Sequence, residues 1–159
     1  MEISVAPRAP IPPFDAASAA LKVRLIEDAW NTRDPDMVAL AFTEDSRWRT
    51  RSDLLIGQDD ILDSLRLKWT QEIEYRLTKE LWVYHEHRIA ARFAYEWRDN
   101  QGNWFRSFGN EAWEFNKHGL LRWGTVTIND VSIAAEDRMF HWPLGRRPDN
   151  HPGLTRLEL

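Results

Sequence analysis

From Glu74 to Asn129 apolar and polar residues trade places at every second position, and short turn sequences interrupt the pattern. That period belongs to strands. Tyr75 to His85 is one strand and Ile89 to Arg98 the next, with His85-Glu86-His87-Arg88 as the turn between them. Asp99-Asn100-Gln101-Gly102-Asn103 turns the chain into Trp104 to Phe115, and Asn116-Lys117-His118-Gly119 turns it into Leu120 to Asn129. Long strands joined by short hairpin turns are expected to form an antiparallel meander.

The residues before the meander read as helices. Asp15 can cap a first helix whose Leu21, Leu25, Ile26, Ala29 and Trp30 form one stripe ending by Asn31. Asp34-Pro35 places a cap before a first-turn proline and opens a short helix through Phe42. Arg47 to Leu55 reads as a further strand, and Ile61, Leu62, Leu65 and Trp69 mark a third helix after Gly57. The prolines between Pro7 and Pro13 predict an extended arm over residues 1–14, ahead of a domain over 15–133. Residues 134–159 carry Phe140-His141-Trp142-Pro143 and two later prolines, and read as an irregular strap packed on the domain or on a dimer partner. The fold class expected is α+β: a curved antiparallel sheet wrapped by three N-terminal helices.

Composition excludes several functions. The 159-residue chain has a net charge of −4 with interspersed signs, so it offers no basic face to nucleic acid. No apolar run has the length of a membrane span, and the N-terminus lacks the pattern of a signal peptide. Absence of cysteine removes disulfides and thiol catalysis and fits a cytoplasmic protein. There is no glycine-rich phosphate loop, nucleophile elbow or dinucleotide fingerprint, so no cofactor is expected. Nine Trp, seven Phe and three Tyr supply rings for a core, an interface or a pocket wall.

The element order resembles the nuclear transport factor two-like, or SnoaL-like, superfamily. Ala29-Trp30-Asn31-Thr32-Arg33-Asp34, Phe42-Thr43-Glu44-Asp45-Ser46 and Gly57-Gln58-Asp59-Asp60-Ile61 carry that resemblance. Arg106-Ser107-Phe108-Gly109-Asn110-Glu111-Ala112-Trp113-Glu114-Phe115 and Phe140-His141-Trp142-Pro143 resemble, more narrowly, a subfamily catalogued as a domain of unknown function. The resemblance implies a cone whose concave sheet face and helices line a cavity, and whose convex face often makes a homodimer.

The resemblance also implies candidate site residues. Glu111 falls where ketosteroid isomerase-like members keep a protonated acid. It would share the inner face with Ser107, Gly109, Trp113 and Phe115, and a carboxyl between two rings should titrate high. The alternative is that Glu111 pairs with an inward Arg. That isomerisation itself is not expected, because Thr50 stands at the position of the base and Ile26 at that of the tyrosine. Limonene epoxide hydrolase-like chemistry fails as well: Trp48-Arg49-Thr50 and Arg92 match in place, but Ala94 and Val126 replace the carboxylates. Arg92 could hold a carboxylate or enolate, or form a salt bridge to Glu111 or Glu96. Arg122 is a second inward candidate. His141 could serve as an acid or base if the strap closes over the cavity mouth, or could be a packing anchor. Glu111, Arg92 and His141 are thus the catalytic candidates, and Trp48, Thr50, Trp113, Phe115 and Arg122 the ligand-binding ones. His85, His87 and His118 lie in turns, and no metal site is expected from them.

These residues leave three functions open. One is a cofactor-independent lyase, isomerase or hydrolase acting on a small organic molecule. The second is a non-catalytic binder of an apolar or acidic ligand. The third is a dimeric interaction module, for which the alternating Phe93, Tyr95 and Trp97 would supply an aromatic seam.

Overall fold

A computed structural model describes residues 8–159, so the first half of the expected N-terminal arm lies outside the described residues. In chain order the elements are α1 (Ala16–Asn31), α2 (Pro35–Ala39), β1 (Phe42–Thr50), β2 (Asp53–Ile56), α3 (Gln58–Gln71), β3 (Ile73–His85), β4 (Arg88–Arg98), β5 (Trp104–Phe115) and β6 (Leu121–Ile133). A 3₁₀ turn (Ala135–Asp137) and α4 (Leu154–Leu157) follow.

Local chemistry sets the helix starts. Asp15 accepts from the Ser18 amide at 2.7 Å while Ser18 Oγ accepts from the Asp15 amide at 2.8 Å, a reciprocal cap for α1. Asp34 caps α2, with Pro35 at its first position. That helix stops at Ala39, short of the expected Phe42, and the Gln58 side chain donates to the carbonyls of Ala39 (2.8 Å) and Phe42 (3.2 Å).

The sheet has six strands in the order β2-β1-β6-β5-β4-β3. The meander β3 to β6 is antiparallel, but β1 pairs with β6 in parallel, so the sheet is mixed rather than wholly antiparallel. The expected single strand from Arg47 to Leu55 is instead the hairpin β1–β2. Its turn bends at Arg51, which takes a left-handed φ of 56° without the glycine or proline that marks most turns.

One face of the sheet packs on α1 and α3. Its core joins Ala19, Val23, Ile61 and Leu65 to Tyr75, Leu77, Phe93, Tyr95, Trp113 and Phe115. The outer edge of β3 is closed by α1: Asn31 donates to Leu77 O (3.0 Å) and accepts from Leu77 N (2.8 Å), and Glu27 accepts from Lys79 N (2.7 Å). These side chains satisfy backbone groups that an unpaired edge would leave open.

The strap lies on the opposite, outer face. Phe140, Trp142 and Leu154 pack with Ala94 and against Phe108, Leu157 and Leu159. Glu96 is fully buried there, accepting from Arg106 and from the amides of Met139 and Phe140. The strap therefore covers part of its own domain's outer face and does not lie across the cavity.

Candidate functional site

Strand register decides which side chains face the helices. Ala91, Phe93, Tyr95 and Trp97 of β4 stand opposite Glu111, Gly109, Ser107 and Phe105 of β5. On β6 the same row holds Gly124, Val126, Ile128 and Asp130, and on β1 it holds Trp48 and Thr50. On β3 it holds Leu77, Lys79 and Leu81. Gly109 makes room in this row, since a Cβ there would fall 2.2 Å from the Phe93 ring. The expected aromatic dimer seam of Phe93, Tyr95 and Trp97 is thus on the inner face and lines a cavity.

The polar centre of this face is a buried ion pair. Lys79 Nζ donates to Glu111 Oε1, and the two side chains are 4% and 5% exposed. The ammonium also lies 4.7 Å from the Phe93 ring centroid, 5.4 Å from Trp113 and 5.6 Å from Trp30. Three rings and a carboxylate replace the water that such a cation loses on burial. The backbone beneath Lys79 is held by Glu27, which is 0% exposed and also binds Arg24 (2.6 Å) and Arg147 of the strap (3.0 Å).

Further polar groups line the mouth. Lys68 donates to Glu72 Oε2 at 2.6 Å and to the Tyr95 hydroxyl at 3.3 Å. Burial by itself depresses the Lys68 amine, but Tyr95 and Glu72 outweigh it and hold the group above its usual range. Burial raises the phenols of both Tyr75 and Tyr95. Among the described residues the buried Glu72 Oε1 has no hydrogen-bond partner. On the other side Asp130 accepts from Arg51 (2.9 Å) and from Ser107 Oγ, and Ser107 in turn accepts from Trp97 Nε1 at 2.9 Å. Burial pushes the Asp130 carboxyl up, yet Arg51 and Ser107 leave it below the ordinary aspartate value.

The cavity has two chambers. The first, about 360 Å³, is lined by the three ion pairs Lys79–Glu111, Lys68–Glu72 and Arg51–Asp130, and by aromatic rings. The second, about 220 Å³, is walled by apolar side chains including Leu25, Ile26, Trp113 and Phe115. Trp30, Trp48 and Glu111 line both.

The structure brings Glu111, Trp48, Thr50, Trp113 and Phe115 to this cavity. It does not bring Arg92, Arg122 or His141 there. Arg92 stands on the outer face, donating to Leu159 O and to Glu80 (3.2 Å), because it is one residue out of step with Phe93. Arg122 is exposed and pairs with Glu114 at 3.2 Å. His141 is exposed on the strap and donates from Nε2 to Arg138 O at 2.6 Å. The inward cation beside Glu111 is Lys79, with neither Arg92 nor Arg122 in reach. Sequence reasoning missed Lys79, Lys68, Glu72, Arg51 and Asp130. Lys79 had a signal, since it continues the inward alternation of Tyr75 and Leu77 on a strand otherwise apolar on that side. Among the described residues no three His, Asp or Glu side chains gather as a metal site would require.

A curved, unclosed mixed sheet with a helix-covered inner cavity is the fold of solved NTF2-like proteins. The chain belongs to the family described as protein of unknown function DUF1348, whose profile matches residues 12–141. No curated protein matches the chain significantly. Solved structures show the same fold at low identity. The epoxide hydrolase/cyclase-like enzyme SalBIII, which has a role in pyran ring formation in the polyether salinomycin, is 16% identical with a TM-score of 0.63. That match covers 72% of this chain and 93% of SalBIII. The BvnE pinacolase of Penicillium brevicompactum is 14% identical with a TM-score of 0.60, covering 70% of this chain and 85% of its own. An NTF2-like protein of unknown function from Burkholderia pseudomallei is 21% identical with a TM-score of 0.60, covering 74% and 92%.

Proposed function

We propose that this protein holds a small organic molecule in the cone cavity and acts on it as a cofactor-independent enzyme of the lyase, isomerase or hydrolase type. The observation that carries the reading is the Lys79–Glu111 pair, buried between aromatic rings at the wall shared by both chambers. A carbonyl oxygen reaching Lys79 would take over its hydrogen bond and release Glu111. Glu111 then accepts the proton from the carbon beside the carbonyl, and the C–H electron pair moves onto the oxygen as an enolate that Lys79 stabilises. Return of the proton to another carbon isomerises the substrate, and loss of a β-substituent eliminates it. The enzymes named among the fold neighbours, SalBIII and the pinacolase, support a small-molecule site in such a cone.

A second reading, non-catalytic ligand binding, is favoured by the pairing of the three cations that line the first chamber: Lys79 with Glu111, Lys68 with Glu72 and Arg51 with Asp130. One experiment separates the two. A panel of simple ketones is incubated with the protein in deuterated water, with uptake at the α-carbon followed by NMR and binding by thermal shift. Uptake that Glu111→Gln abolishes while binding persists supports the enzyme. Binding without uptake supports the carrier, and neither overturns both.

Homodimerisation and a cytoplasmic location belong to the same proposal. Val83, Ala90, Ala112 and Thr125 form a row of small or apolar residues across the outer face, beside exposed Tyr84 and Trp123, on the part the strap leaves open. Sedimentation of Ala112→Arg against the wild type tests a seam between two copies there.

A further inference from the structure

We propose that the ligand of this cavity is an elongated, uncharged amphiphile, with an oxygen-bearing head in the first chamber and an apolar tail of about five to seven carbons in the second. The inference rests on the small-molecule reading above and adds the substrate class.

The chambers differ in chemistry. The first contains the three ion pairs, and the second is walled by side chains such as Leu25, Ile26, Ala29 and Phe42. Their shared walls are Trp30 and Trp48, set edge to face with ring centroids 5.3 Å apart, and Glu111. A molecule reacting at Lys79–Glu111 therefore sits where the polar and apolar chambers meet.

One end of the second chamber is walled by Arg8 and Ala9 of the N-terminal arm. Lys22 Nζ ties the arm down by donating to Arg8 O (2.7 Å) and to Gly119 O (2.8 Å), and the Arg8 amide donates to His118 O (2.7 Å). Gly119 permits this approach, since a Cβ there would fall 2.1 Å from Arg8 O. With its amine bonded to two carbonyls, Lys22 is held by the backbone rather than receiving a ligand head. The tail then lies in the second chamber, and the head stays among the ion pairs.

Volume and charge set the class. A methylene occupies nearly the space of a water, about 30 Å³, so 220 Å³ admits about seven groups at full filling and fewer at ordinary packing. An anionic head would meet Glu72, Glu111 and Asp130, and a cationic one Lys68, Lys79 and Arg51, all already neutralised by each other. An uncharged carbonyl or hydroxyl adds no further charge to this balanced set.

The test is calorimetric titration of the full chain with 2-alkanones from butanone to dodecanone and with the matching alkanoates. Dissociation constants should fall about three- to fourfold for each added methylene and then level off once the tail reaches about seven carbons. Ala29→Phe, which fills the second chamber, should move the break to shorter chains. Ile26→Phe provides the same test should Ala29→Phe fail to fold. Alkanoates should bind at least tenfold more weakly than ketones of equal length. Tighter alkanoate binding overturns the uncharged head, and a break that neither filling variant moves overturns the tail chamber. A series independent of length, yet lost in Lys79→Met, also overturns the tail chamber and leaves the small-molecule reading standing. No binding by any member overturns both.

Discussion

Removing Lys79 tests the site and the fold together. Its amine and the Glu111 carboxylate are almost wholly sheltered, at 4% and 5% exposure, and among the described residues no second cation stands within bonding distance of Glu111. Lys79→Met keeps much of the side-chain volume but leaves a carboxylate buried among Phe93, Trp30 and Trp113. Breaking a buried pair in this way costs about 3–5 kcal/mol. For a domain of this size the loss lowers the melting temperature by roughly 6–20 °C. Replacing both partners, as Lys79→Met with Glu111→Met, removes the stranded charge and should return stability to within about 1–2 kcal/mol of the wild type. Urea denaturation followed by tryptophan fluorescence measures all four corners of the cycle, and with either single substitution costing about 3–5 kcal/mol the expected coupling is at least about 4 kcal/mol. Additive effects of the two single substitutions would refute the buried pair, and with it the proton-transfer site built on it.

Other consequences follow from the same contacts. Asn31→Ala strips the Leu77 amide and carbonyl of their partners at a buried sheet edge, and should cost about 2–4 kcal/mol in thermal unfolding with faster exchange of the Leu77 amide. Burial, with the charge of Arg8 adding to it, lowers Lys22 to about 8 from its ordinary 10.5. The unfolded chain then binds more protons than the folded one between these values. Relative to Lys22→Met, the wild type should therefore gain stability as pH rises from about 8 toward 10.5, measured by urea unfolding along a pH series. Gly119→Ala places a methyl against Arg8 O at a φ of 78°, and should release the arm, seen as faster proteolysis near residue 8 with little change in the sheet.

The C-terminal strap links these sites. It buries Phe140 and Trp142 on the outer face, and it sends Arg147 to Glu27, whose other oxygen holds the Lys79 backbone. The aromatic content thus serves two separate places. Trp30, Trp48, Trp113 and Phe93 line the cavity, while Phe140, Trp142 and Phe108 seal the strap.

Much of this architecture is legible in local chemistry. Alternation marks the strands of the meander, because every second residue must meet the core. Asp15 and Asp34-Pro35 mark helix starts, because an exposed helix end needs a partner for its free amides. Glu111, Trp113 and Phe115 share a face by parity alone, and register places them where that parity implies. The hairpin at Arg51 carries no such mark, because its left-handed residue is an arginine. Parity within one strand does not say which face is inner. The resemblance implies Arg92 inward and Phe93, Tyr95 and Trp97 outward, whereas pairing with Gly109 and Ser107 makes the aromatic side the inner one. The partnership of Lys79 with Glu111, the parallel pairing of β1 with β6 and the choice of outer face for the strap join residues far apart in the chain. Periodicity is a local property, and it determined the elements and their faces. Which faces meet, and which charges neutralise each other between them, depends on packing many segments around one cavity, and only the tertiary structure decided that.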